Sequence, residues 1–128
     1  MARWKLTPPA LLLAAIEFAT FGCGSQSPRV LQSISVTPAS ADAQAFANGQ
    51  VQFSAVGNYS QAPTPSPIAG AGWELSGSDI ATISPSGLAQ CNPGASGVVT
   101  VKASTSGPCS GTACTAVLVS GSAQLTCP

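Results

Sequence analysis

In three separate stretches of this chain, apolar residues alternate strictly with polar ones. Ile34 and Val36 alternate with Ser33, Ser35 and Thr37; Val51, Phe53 and Ala55 alternate with Gln52 and Ser54; Val99 and Val101 alternate with Thr100 and Lys102. A period of two places each apolar set on one face of a half-buried strand. These stretches belong to an ordered run of seven short β-type segments: residues 31–38, 49–57, 73–79, 80–84, 87–90, 97–103 and a closing one within 116–126. Turn chemistry separates them: Asn48-Gly49, then Ser76-Gly-Ser-Asp79, then Pro85-Ser-Gly87. Pro38 ends or kinks the first segment, because proline cannot donate to a ladder. The segment with Pro63, Pro65 and Pro67, residues 61–70, reads as a stiff extended loop. No stretch after the leader has helical periodicity. The pattern predicts an all-β sandwich or barrel of about seven short antiparallel strands. Trp73 is expected to plug the core between two sheets.

Composition narrows the function classes. The chain has 128 residues, room for one domain, and only 6% are charged, against about 25% in an average soluble domain. Its surface must be covered by Ser, Thr, Gln, Asn and Gly, which suits an exported β-protein. The net charge is zero, so there is no electrostatic case for nucleic acid. The absence of histidine removes Ser-His and Cys-His nucleophiles and every His-ligated metal site.

The first residues have the layout of an export signal. Arg3 and Lys5 precede an apolar stretch, residues 6–21, centred on Leu11 to Ile16 and interrupted by Glu17. It is shorter than the ~20 apolar residues of a membrane span. Cys23 follows Thr20-Phe21-Gly22, and a small residue before a cysteine at this place resembles a bacterial lipoprotein processing site, although such sites prefer Leu where Thr20 stands. The resemblance implies acylation at Cys23. The expected organisation is a signal peptide at 1–22, a lipidated Cys and tether at 23–29, and one domain at 30–128. The protein would then be exported and lipid-anchored in the cell envelope, at the outer membrane or cell surface. Ordinary cleavage near Gly22 would instead give a secreted or periplasmic product.

Five cysteines are an odd number, and assigning Cys23 to lipid leaves Cys91, Cys109, Cys114 and Cys127. An oxidising compartment favours two disulfides, for which three pairings exist. Residues 97–103 and 116–126 look like the arms of a terminal hairpin with Cys109 and Cys114 near its tip. If those two face each other, the register brings Cys127 opposite the start of the first arm, just after Cys91. Cys109–Cys114 and Cys91–Cys127 are the expected pairs. A four-cysteine zinc site competes poorly, because only Cys109 and Cys114 are closely spaced.

Beyond the tether the residues resemble bacterial Ig-like domains of group 2, the type found in invasin- and intimin-like surface proteins. The shared marks are Leu31-x-x-Ile34-x-Val-Thr-Pro-Ala39, Gly49-x-x-x-Phe53-x-Ala55-x-Gly57-x-Tyr59-Ser60, Trp73, Ala81-Thr-Ile-Ser84 with Gly87-Leu-Ala89, and Gly97-x-Val-Thr-Val-x-Ala103. The Pro-rich loop and the cysteines depart from that pattern. The resemblance implies an Ig-like β-sandwich that serves, without catalysis or cofactor, in adhesion, spacing or envelope interaction, as a monomer held to the membrane by its lipid. A protein or glycan ligand would meet the loop at 61–70, with Ile68 at its end, or the tip at Cys109–Cys114. The alternative is a carbohydrate-binding sandwich in which Trp73 and Tyr59 stack on sugars. For an enzyme the sequence offers only Glu74 and Asp79 as neighbouring carboxylates, with Lys102 as the one conceivable amine base. Asp42 and Asp79 stand apart, without the clustered oxygens that calcium takes.

Overall fold

The computed structural model describes residues 27–107 and 117–128. The leader, Cys23, Cys109 and Cys114 lie outside the described residues. Ten strands follow in chain order: β1 Leu31–Thr37, β2 Ser40–Asp42, β3 Gln50–Gln52, β4 Ser54–Tyr59, β5 Pro65–Pro67, β6 Gly72–Leu75, β7 Ala81–Ile83, β8 Leu88–Cys91, β9 Gly97–Ser106 and β10 Leu118–Cys127. Two 3₁₀ turns, Ala43–Ala45 and Ala47–Gly49, lie between β2 and β3. The described chain is all-β.

The strands form three hydrogen-bonded sets, ordered β1-β4-β5, β2-β10-β9-β6 and β3-β8-β7. Ten strands rather than seven arise in three places, each with a local cause. The 49–57 segment splits at Phe53, whose amide leaves the strand pattern to bond the Gly87 carbonyl at 2.9 Å. Pro38 ends β1, and the chain resumes as β2 on a different sheet. The prolines at 65 and 67 do not prevent pairing, because β5 is an edge strand against β4 and can leave its missing donors on the open side. The loop expected at 61–70 is therefore partly strand.

The pairing is not wholly antiparallel, which corrects the sequence expectation. β2 lies parallel to β10, with Ser40 opposite Gln124 and Asp42 opposite Thr126. The chain crosses from β4 to β10 at Pro38 without reversing direction, so β1 and β2 both run alongside β10. β1 comes close at Gly121, where a Cβ would overlap the Ile34 carbonyl. Glycine is required there by proximity alone.

The alternation seen in the sequence becomes the core. Phe53, Leu125, Val51, Val99 and Val101 are its largest fully buried side chains, and it draws on strands of all three sets. Truncating such a side chain typically costs about 2–5 kcal/mol. Trp73 is not among them: it is half-buried and packs against the core from its margin. The reason is placement on β6, which is the edge of its sheet. The central positions are taken by β9 and β10, whose hairpin register runs from Ser106 opposite Leu118 to Gly97 opposite Cys127.

Candidate functional site

Two surfaces are built by the elements around the Pro-rich segment. The first is a clamp between the start of the domain and residues 60–63. Arg29 lies over the Tyr59 ring, its guanidinium carbon 3.6 Å from the centroid. The same guanidinium donates from Nε to the Gln61 carbonyl at 3.3 Å and from Nη2 to the Pro63 carbonyl at 2.6 Å. The Val30 amide donates to Ser60 Oγ, the Ser60 amide returns a bond to the Val30 carbonyl, and Gln61 Nε2 donates to the Ser27 carbonyl. Residues 27–30 are thus docked on the fold, and the rest of the tether expected at 23–29 lies outside the described residues. The sequence held one hint. Arg29 is the only basic residue between the leader and Lys102, and it stands two residues before β1.

The second surface is a half-open groove of about 220 Å³, lined by Phe53, Pro67, Ile68, Ala71, Trp73 and Pro85 among others. β5 and β6, each an edge strand of its own sheet, both contribute to its lining. Gly87 floors the Trp73 ring with φ of +85°, and a Cβ there would come within 2.9 Å of the indole. That close approach holds Trp73 at the groove. Ile68, expected at the end of the loop, does reach this surface, and its amide bonds the Ala55 carbonyl at 2.9 Å.

The titratable residues are scattered. Glu74 and Lys102 face outward on adjacent strands and pair at 3.7 Å, with 68% and 43% of their side chains exposed. An exposed pair of this kind contributes about 0–1 kcal/mol. Asp42 accepts from the Gln44 amide at 2.9 Å and caps the first 3₁₀ turn. Asp79 lies in the turn before β7, where its carbonyl and that of Ser78 accept from the Asn92 side chain. Among the described residues no group of three or more His, Cys, Asp or Glu could hold a metal. No helix among them is long and apolar enough to cross a membrane.

Cys91 and Cys127 form a disulfide with Cα atoms 5.7 Å apart. The geometry behind the expected pairing is present: Cys127 is opposite Gly97, where β9 begins. Cys91 ends β8 opposite Ala81, so the bond joins two sheets across the core. The Cys109–Cys114 pair and the lipidation expected at Cys23 fall outside the described residues. The chain matches no protein-family model, and no curated protein matches it either.

Proposed function

We propose that this chain is an exported, lipid-anchored Ig-like domain of the bacterial group 2 type, acting without catalysis as an adhesion, spacer or envelope-interaction module. One observation carries the reading: the strand order. Treating β3 and β4 as one strand interrupted at Phe53 merges two of the sets into a layer ordered β1, β4/β3, β8, β7. The other layer is β6, β9, β10, with β2 added beside β10. In the constant-type Ig arrangement the first, second, fifth and fourth strands form one sheet and the third, sixth and seventh the other. The chain follows that order once β2 and β5 are set aside as additions. The disulfide between β8 and β10 is an added brace rather than the bond between second and sixth strands found in antibody domains. Support for a non-catalytic role comes from the carboxylates lying apart: Glu74 pairs with Lys102, Asp42 caps the first 3₁₀ turn, and Asp79 sits in the turn before β7.

Intact mass of the protein extracted from its native membrane tests the anchoring. A product starting at Cys23 and carrying diacylglycerol is expected; a chain beginning elsewhere, without lipid, rejects it. For the envelope role, the measurement is capture of envelope material by the folded domain, with and without an Ile68→Ser change at the groove. Binding that survives the change unaltered removes the groove as the contact surface. The alternative carbohydrate reading rests on Trp73 alone, because Arg29 occupies a face of Tyr59. Tryptophan emission that stays constant through an oligosaccharide titration counts against it.

A further inference from the structure

Only residues 24–26 separate Cys23 from Ser27 in sequence, and the end of the fold that holds Ser27 exposes apolar side chains. β1 and β10 run side by side in one direction, with Gly121 against Ile34 and the Gln124 amide bonded to the Ala39 carbonyl at 3.0 Å. Leu31 and Leu118 each lie three residues upstream of that contact, so they close the same end. The Gly107 amide extends the hairpin there with a bond to the Val117 carbonyl at 3.0 Å. Val30, Val117 and Leu118 are exposed at this end, by 44%, 66% and 63%.

We infer that this end rests on the lipid bilayer, with Val30, Val117 and Leu118 in contact with the membrane surface. The inference rests on the reading of Cys23 as acylated. Ser27 to Val30 are docked against residues 60–63, and three residues, 24–26, separate Ser27 from Cys23 in sequence. Four residue steps from Cys23 to Ser27 span at most about 14 Å. That reach is well under the ~33 Å length of a ten-residue strand such as β9, so the domain is kept against the surface and cannot turn its far end toward it.

The charge distribution fits the same orientation. Asp42 is opposite Thr126 and Asp79 bonds Asn92, both near the disulfide at the other end. Glu74 is mid-sheet, opposite Lys102. The ionised side chain at the anchored end, among the described residues, is Arg29, and residues 108–116 carry no charge in sequence. No side chain among the described residues there repels an anionic headgroup layer, and apolar side chains beside a single basic residue suit the interface.

The test uses the full chain, extracted acylated from membranes and reconstituted in vesicles of phosphatidylethanolamine and phosphatidylglycerol with brominated phosphatidylcholine. Leu118→Trp places a reporter at the anchored end, Val117→Trp serves as a second reporter there, and Val98→Trp marks the far end, where Val98 is 57% exposed and opposite Thr126. The emission added at 118 or 117 is expected to fall by about half, as for a ring seated at the headgroup boundary, while that added at 98 stays unchanged. Acylated protein with no quenching at 117 and 118, as when a protein partner or a second copy covers this end, overturns the inference and leaves the anchor standing. Equal quenching at 118 and 98 also overturns it. Absence of the lipid mass at Cys23 overturns the anchor and the inference together.

Discussion

At the end of the molecule where β9 begins and β10 finishes, the sheets are joined by a covalent bond, Cys91–Cys127, with Cys127 buried to 3% exposure. At the opposite end, where β1 and β10 begin, closure depends on Arg29 over Tyr59 and on exposed or half-buried hydrogen bonds to residues 60–63. The first kind of closure acts mainly by restricting the unfolded chain and is nearly independent of solvent. The second competes with water at every contact, so each bond contributes little net free energy. A stable far end and a locally yielding near end follow from this difference. In the proposed orientation the near end is also the one that would face the membrane, where lipid would shield the clamp from water.

Replacing both bridge cysteines, Cys91→Ala with Cys127→Ala, gives the largest expected effect. The bond closes a loop of 36 residues, for which the chain-entropy account gives about 4 kcal/mol. For a domain of this size that corresponds to a fall in Tm of roughly 15–30 °C. Differential scanning calorimetry of the domain measures it. A fall smaller than about 5 °C would erase the contrast, because the ladder alone would then be holding the far end.

The far end was also the more legible of the two in the sequence, and for a physical reason. Placing Cys109 and Cys114 face to face near the hairpin tip selects one register, and continuing it down the two arms already brought Cys127 opposite the start of β9, as the ladder has it. The features that stayed hidden are those built from backbone carbonyls. Arg29 binds the carbonyls of Gln61 and Pro63, and β5 pairs through main-chain groups of a segment whose prolines argue against a strand. β2 is three residues long, too short for a period to register. Trp73 misled because size favours the core, whereas its position on an edge strand places it at the groove.

Between the ends, Gly121 tests whether they share one framework. A methyl group there meets the Ile34 backbone, which cannot rotate away as a side chain could. Gly121→Ala is expected to cost about 2 kcal/mol, as overpacking commonly does. The neighbouring Ser120→Ala, on the outward face of β10, should stay within about 0.5 kcal/mol. Urea unfolding separates them: the midpoint falls for Gly121→Ala while the slope is unchanged. Equal midpoints for the two variants would mean that β1 slides off β10 at no cost, and the shared direction of these strands would no longer tie the ends together.

Arg29→Ala gives the smallest effect and the sharpest view of the contrast. Removing a cation over an aromatic ring at a partly exposed site costs about 0.5–1 kcal/mol, and the two carbonyl bonds add a similar amount before water replaces them. The loss is expected to be local. Amide exchange at Ser60, whose proton is held by the Val30 carbonyl, should accelerate by about fivefold, the equivalent of about 1 kcal/mol. Amides of Val99 and Val101, in the middle of the hairpin, should keep their rates, because their protection follows global unfolding. Arg29→Lys restores the charge over Tyr59 without the planar fork that reaches two carbonyls, so Ser60 should recover only in part. Acceleration spread evenly over Ser60, Val99 and Val101 would show the two ends opening as one unit. The difference between them would then lie in chemistry alone and not in stability.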